Sequence, residues 1–129
     1  MKGLHITAEL QGCPAAVAAL TDTATLRRLC LQAVQQAGLT PVGELFHAFG
    51  APGGITGVVL LAESHLAVHT WPELSAVTLD AYVCNFGQDN SARARQLVDL
   101  LVAAFEAACV DRRETLRGSG TAVPGASAA

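Results

Sequence analysis

Hydrophobic and polar residues alternate in the first part of the chain, and the alternation returns several times further along. A period of two residues is typical of a strand with one buried face. The pattern predicts strands over residues 3–12, 40–49, 55–62 and 76–84, a renewed alternation through Leu66, Val68 and Thr70, and a short edge strand over 112–117.

Two other segments have the spacing of helices. Over residues 23–37, apolar residues recur every three or four positions, with Thr21, Asp22 or Thr23 able to cap the start. Gly38 suits the left-handed position just past its end. A second helix is predicted over about 91–109.

The predicted order βαβββαβ corresponds to an α+β fold, a two-layer sandwich with two helices on one face of a mainly antiparallel sheet. We expect a single domain over residues 1–117 and a disordered tail over 118–129, which is rich in Gly, Ser, Ala and Pro. The chain's own helices cover one face of this sheet, so the other face must be polar or must meet a partner.

Composition excludes several classes of protein. With 129 residues, 51% of them hydrophobic and 15% charged, wholesale disorder, a two-domain Rossmann enzyme, a TIM barrel and a long coiled coil are excluded. A net charge of −3 and 5% aromatic residues argue against nucleic acid as a partner. The chain has no apolar run of about 20 residues and a polar start, so we expect a cytoplasmic protein with no membrane partner.

The four cysteines, Cys13, Cys30, Cys84 and Cys109, are widely scattered and form no Cys-x-x-Cys pair. In a reducing compartment they are expected to be thiols rather than disulfides. Cys30 and Cys109 fall on the apolar faces of the predicted helices, as structural thiols do. The spacing shows no cluster of thiolates and imidazoles, so no metal is expected.

Residues 63–73 concentrate the reactive side chains: Glu-Ser-His-Leu-Ala-Val-His-Thr-Trp-Pro-Glu. The segment holds two of the four histidines and the only tryptophan, within the most apolar part of the chain. Ionisable groups in a core strand are costly unless they are paired or used. A lone serine or histidine here would be unremarkable, but the segment as a whole indicates function.

This segment resembles the processing site of the bacterial pyruvoyl-dependent S-adenosylmethionine decarboxylases. Four other stretches resemble the same family, which extends the similarity over about residues 3–117. They are Ile6-Thr7-Ala8-Glu9-Leu10-Gln11-Gly12-Cys13, Phe46-His47-Ala48-Phe49, Gly54-Ile55-Thr56-Gly57-Val58-Val59 and Leu79-Asp80-Ala81-Tyr82-Val83-Cys84.

The resemblance implies a precursor that cuts itself between Glu63 and Ser64. Ser64 attacks the carbonyl of Glu63, elimination of the resulting ester cleaves the chain, and the new N-terminus hydrolyses to a pyruvoyl group at residue 64. His69 is the implied helper in this processing, a role that suits a neutral imidazole. The products are a β chain of residues 1–63 and an α chain of residues 64–129, held together without a covalent link.

The pyruvoyl group is the implied cofactor, which binds the substrate's α-amine and accepts the electrons released with CO₂. By the same resemblance, Cys84 returns a proton to carbon, Glu73 binds the ribose and Phe49 stacks on the adenine. Leu66 is expected to line the pocket through its backbone. Core packing explains Phe49 equally well, and a buried structural thiol is the plain alternative for Cys84. The implied product, decarboxylated S-adenosylmethionine, feeds spermidine and polyamine biosynthesis.

One stretch departs from the family, because Cys84 is followed by Asn85-Phe86-Gly87-Gln88-Asp89 where the family has glycine directly after the cysteine. The added aromatic and acid can reshape the pocket. Relatives that decarboxylate ornithine or arginine are therefore an alternative, since a basic substrate needs a buried carboxylate. Asp89, Glu44 and Glu9 are the candidates for it.

Two non-enzymatic alternatives are a regulatory subunit that activates a partner and a ferredoxin-like nucleotide-binding module. Neither needs the scissile Glu-Ser bond, and the complete set of Ser64, His69 and Cys84 argues against both. The half-covered sheet and the family resemblance together predict a homodimer with sites near the interface.

Overall fold

The computed structural model describes residues 2–118, in which two helices pack on one face of a six-stranded sheet. Short 3-10 turns follow β1 and β4. In chain order the elements are β1 (Lys2–Gln11), α1 (Thr23–Gln36), β2 (Pro41–Ala48), β3 (Ile55–Leu61), β4 (Ser64–Trp71), β5 (Ala76–Cys84), α2 (Ser91–Phe105) and β6 (Cys109–Gly118). This confirms the predicted two-layer α+β sandwich. Apart from Gly118, the predicted tail lies outside the described residues.

The strands lie in the order β2-β3-β4-β5-β1-β6, and every neighbouring pair is antiparallel. Four strands separate the two helices, so the predicted order with three was wrong. Ala62 and Glu63 form a tight turn that reverses the chain between β3 and β4. The pattern did not show this reversal, because neither residue is a typical turn former.

Alternate residues of β1, β3, β4 and β5 face the helices and form the core. In the centre of the sheet these include Ile6, Leu66 and Leu79, which pack beneath residues of α1 and α2 such as Leu26 and Leu101. Cys30 of α1 is also buried there, and burial raises the pKa of its thiol to about 12. Cys30 is therefore a structural thiol, as predicted.

The first helix begins and ends as its sequence indicates. The Asp22 carboxylate accepts hydrogen bonds from the hydroxyl and the backbone N–H of Thr25, which lower the pKa of Asp22. Gly38, just past the last turn, has a φ of 79°, which a glycine adopts without strain.

The second helix is shorter than predicted, because it ends at Phe105 instead of near residue 109. Cys109 is the first residue of β6, where it pairs with Gln11 of β1 and is exposed. The placement of Cys109 on an apolar helix face was therefore wrong. Pairing with β1 satisfies the backbone of this segment and overrides its helical spacing.

The strand face opposite the helices is called the open face from here on. It presents His65, His69 and Trp71 of the segment 63–73, beside residues such as Asp80 and Leu60. Leu60 and Trp71 are exposed on it. Among residues 2–118, no helix is long and apolar enough to cross a membrane.

Candidate active site

The peptide bond between Glu63 and Ser64 lies at the turn that joins β3 to β4. Leu61 pairs with Ser64 across this hairpin, which leaves Ala62 and Glu63 as its two loop residues. Glu63 has a φ of 57°, in the left-handed region that costs a residue with a Cβ about 1 kcal/mol. The segment that sequence analysis singled out for cleavage is thus a strained turn.

Ser64 and Cys84 are neighbours across β4 and β5. The backbone N–H of Cys84 donates a hydrogen bond to Ser64 Oγ over 3.1 Å. Cys84 is the last residue of β5, and 8% of it is exposed. The fold therefore brings together two of the three predicted catalytic residues, which are 20 positions apart in sequence.

Asn85, which directly follows Cys84, closes the loop between β5 and α2. Its N–H donates to the carbonyl of Lys2 over 2.7 Å, and its side-chain oxygen accepts from the N–H of Asn90 over 2.8 Å. The Asn90 side chain in turn donates to the carbonyl of Cys84 over 3.0 Å. These bonds hold the end of β5 in place, so Asn85 contributes structure next to Cys84.

Phe86 and Asp89, which follow in the same loop, do not line the cavity described below. Phe86 is 75% exposed. Asp89 accepts a hydrogen bond from the backbone N–H of Ser91 at the start of α2, and this bond lowers the pKa of Asp89. The expectation that an aromatic ring and an acid reshape the pocket is not supported by these positions.

A second group of predicted residues lines a cavity of about 390 Å³ further along β4. Its walls include His69, Trp71, Phe49 and Glu73. The His69 and Trp71 rings are stacked with their centres 6.4 Å apart. Phe49 is 65% exposed, which excludes the alternative that it packs in the core.

Thr56 belongs to the same cavity and was missed from the sequence. Its hydroxyl lies 3.1 Å from His69 Nδ1, in hydrogen-bonding distance, because β3 and β4 pair with Thr56 directly opposite His69. Only the strand register reveals this partner, since Thr56 carries no motif of its own. The contact fixes the orientation of the imidazole ring.

The floor of the cavity is held by the buried hydroxyl of Thr70. It donates to the carbonyl of Leu20 over 2.8 Å and accepts from the N–H of Ile55 over 2.9 Å. A Cβ on Gly54 would overlap the carbonyl oxygen of Thr70, so the close approach of the residue before β3 to the backbone of β4 requires glycine. The cavity walls are therefore rigidly positioned.

Ser64 and His69 do not meet within one chain. They are five residues apart on the same strand, which corresponds to roughly 16 Å, and an odd separation places their side chains on opposite faces. The predicted constellation is thus divided into a Ser64–Cys84 group and a cavity group of His69, Thr56, Phe49 and Glu73.

The remaining predicted contacts have clear positions. The side chain of Leu66 is fully buried on the helix-covered face, which leaves only its backbone for a ligand. Glu44 forms an ion pair with Arg27 of α1. Glu9 lies on the open face, in a separate shallow cavity that His69 also lines.

Three further ionisable groups meet on the open face. Nε2 of His5 lies 2.9 Å from Asp80 Oδ2, and Nε2 of His65 lies 3.3 Å from the same oxygen. All three side chains are half-buried. Sequence spacing did not show this cluster, because its members come from three different strands.

Comparison with known proteins finds relatives of the whole chain. Residues 4–118 match the family described as S-adenosylmethionine decarboxylase. The S-adenosylmethionine decarboxylase proenzyme of Symbiobacterium thermophilum is 39% identical over 118 residues, which are 92% of this chain and 84% of that protein. That of Archaeoglobus fulgidus is 43% identical over 82 residues, 64% of this chain and 70% of that protein.

A solved structure is also similar. The crystal structure of the adenosylmethionine decarboxylase from Aquifex aeolicus superimposes with a TM-score of 0.80 at 34% identity. The similarity covers 97% of this chain and 95% of that chain. The resemblance inferred from sequence motifs therefore extends to the whole sheet and both helices.

The strained turn generates a stability prediction. In a Ser64→Ala chain, which lacks the attacking hydroxyl, Glu63→Gly should raise the free energy of unfolding by about 1 kcal/mol, because glycine adopts a positive φ without a Cβ clash. Urea unfolding measures the difference. Ala62→Gly is the matched control, since Ala62 does not have a positive φ, and it should be neutral or destabilising. Equal effects of the two changes would contradict the strain.

Proposed function

Because this chain belongs to the S-adenosylmethionine decarboxylase family, we propose that it converts its own Ser64 into a pyruvoyl group and decarboxylates S-adenosylmethionine. The single observation that carries this proposal is the hydrogen bond from the backbone N–H of Cys84 to Ser64 Oγ, which places the residue of the proton donor next to the cofactor precursor. The expected cytoplasmic location, without nucleic-acid or membrane partners, stays part of the proposal.

Self-cleavage begins at the strained turn. The Ser64 hydroxyl attacks the carbonyl carbon of Glu63 and displaces the amide nitrogen, so that an ester replaces the peptide bond. Loss of the α-proton of Ser64 then eliminates the Glu63 carboxylate and breaks the chain. The dehydroalanine left at residue 64 takes up water and releases ammonia, which gives the pyruvoyl group. The left-handed φ of Glu63 favours cleavage, because the break releases the backbone strain at this residue.

The sheet order explains how a cleaved protein stays folded. The β chain of residues 1–63 contains β1, β2 and β3, whereas the α chain of residues 64–129 contains β4, β5 and β6. β1 lies between β5 and β6, and β3 pairs with β4. Backbone hydrogen bonds therefore join the two chains on three strand boundaries, and no covalent link is needed.

Residues 64 and 84 then have different roles in decarboxylation. The pyruvoyl ketone supplies the electron sink for loss of CO₂ from the substrate's α-carbon. Cys84, beside residue 64 at the end of β5, donates the proton that the α-carbon takes up afterwards. Its low exposure keeps water away from this step.

The cavity group supports a nucleoside substrate. Phe49 offers an exposed ring on which an adenine can stack, and Glu73 offers a carboxylate for two ribose hydroxyls. An ornithine or arginine decarboxylase would need a free carboxylate for the basic end of its substrate. Glu44 is paired with Arg27, and Asp89 accepts a hydrogen bond from the backbone N–H of Ser91, so two of the three candidates for that role are engaged elsewhere.

Two copies of the chain are part of this proposal. A single chain holds Ser64 and Cys84 at one end of β4 and His69 at the other, too far apart to act on one substrate. The open face carries both the cavity group and the exposed side chains of Leu60 and Trp71. A homodimer that brings the start of β4 in one copy to the cavity group of the other can complete each site with Ser64 from one copy and His69 from the other.

Intact mass measures the proposed cleavage. The purified protein should give two fragments that correspond to residues 1–63 and 64–129, the second blocked at its N-terminus. Ser64→Ala should abolish splitting, whereas Cys84→Ala should be cleaved yet turn over about 100-fold more slowly or worse, because only the proton donor is lost. A wild-type chain that stays whole after prolonged incubation would contradict the pyruvoyl mechanism.

The substrate is tested by CO₂ release from S-adenosylmethionine, ornithine and arginine, each offered to the cleaved protein at equal concentration. We expect S-adenosylmethionine to react at least about 100-fold faster, because the cavity is suited to a ring and hydroxyl groups. Phe49→Ala should raise KM for S-adenosylmethionine. Faster release from either amino acid would reassign the substrate.

Mixed dimers test whether a site is shared between copies. Neither Ser64→Ala nor His69→Ala alone should be cleaved efficiently, since each lacks one half of every site. Co-expressed, they should give about one quarter of the wild-type number of processed sites, because half of randomly formed dimers contain one complete site of two. The mass of the cleaved chain should identify it as the His69→Ala variant. No cleavage in the mixture would place both residues' roles within one chain.

A further inference from the structure

We propose that His5, His65 and Asp80 form a binding site for a divalent transition-metal ion, with Zn²⁺ as the best-suited occupant. The three side chains meet on the open face, and their ligand atoms all lie within 4.8 Å of one another. The site uses none of the residues assigned above to cleavage or decarboxylation.

The spacing of the ligand atoms fits such an ion. Zn²⁺ binds nitrogen and oxygen ligands at about 2.0–2.2 Å, so two ligands in a tetrahedral site lie roughly 3.4 Å apart. Asp80 Oδ2 lies 3.3 Å from His65 Nε2 and 2.9 Å from His5 Nε2. The ligand atoms of the two imidazoles lie within 4.8 Å of each other, so rotation of the side chains would bring all three ligand atoms around one ion.

The strands hold the three ligands in this arrangement. His5 and His65 lie on either side of Tyr82, each directly opposite it in the register of β1 and β4 with β5. The Tyr82 ring is stacked on His65 at 5.8 Å between centres and meets His5 edge-on at 6.2 Å. Gly3 has no Cβ to displace this ring. The imidazoles therefore need little ordering when a metal binds.

The donor set selects the class of metal. Two imidazole nitrogens and one carboxylate oxygen suit Zn²⁺, Co²⁺, Ni²⁺ and Fe²⁺, whereas Mg²⁺ and Ca²⁺ prefer oxygen ligands throughout. Each ring binds through the lone pair of Nε2 with its proton on Nδ1. The carboxylate lowers the charge of the complex, and water or a partner group supplies the fourth ligand.

A bound ion would link the two chains that the proposed self-cleavage produces, so this part of the inference rests on that cleavage. His5 belongs to residues 1–63, whereas His65 and Asp80 belong to residues 64–129. A metal held by all three would join the two chains after cleavage. Metal binding itself requires only the folded chain, so it can be tested whether or not cleavage occurs.

The test uses the full-length Ser64→Ala chain, stripped with a chelator and then titrated with Zn²⁺ or Co²⁺. We expect one ion per chain by elemental analysis after dialysis, and visible d–d bands of Co²⁺ without the thiolate-to-metal band that cysteine ligands would give. His5→Gln and Asp80→Asn should each weaken binding by at least about tenfold. His47→Gln, which changes an exposed histidine outside the cluster, should leave binding unchanged.

Circular dichroism confirms that each variant is folded, and X-ray absorption of the Zn²⁺-loaded unsubstituted cluster counts imidazole ligands without relying on any variant. Two imidazoles at a single Zn²⁺ would support the site. No bound ion after dialysis, or binding that His5→Gln and Asp80→Asn leave unchanged, would overturn it. Because the Ser64→Ala chain cannot be processed, neither result bears on the decarboxylase proposal.

Discussion

The antiparallel pairing of β4 with β3 on one side and β5 on the other determines where every candidate group lies. The period of two along β4 directs Leu66 and Val68 into the core and His65 and His69 onto the open face. A shift of one residue in this register would bury the histidines and expose the leucine and valine. The hydrophobic cost of that shift fixes the positions of the polar groups.

The same pairing explains why one strand serves two sites. β5 brings Cys84 to the start of β4, and β3 brings Thr56 opposite His69 near its end. The two groups are separated by the length of the strand, which no side-chain movement can span. In the proposed homodimer, a second copy supplies the missing half of each site.

β4 and β1 each have a strand on both sides, which helps the fold to survive cleavage. The break proposed at Ser64 falls in a hairpin turn, which connects β3 to β4 but lies outside their paired residues. The strands on both sides keep their neighbours, and the cluster of His5, His65 and Asp80 lies across the boundary between the two chains. Exposed pairs such as Arg95 with Glu114 add little by comparison.

The sequence by itself determined the two-layer α+β class, the cap at Asp22, the glycine at residue 38 and the segment that carries the chemistry, because these depend on residue types and short-range periodicity. It misplaced the end of α2 and Cys109, and it merged β3 with β4, since strand pairing and not local preference decides those boundaries. Only the tertiary structure separated Ser64 from His69, identified Thr56 and assembled His5, His65 and Asp80. These relationships depend on register between strands that are distant in sequence, and no local pattern encodes that register.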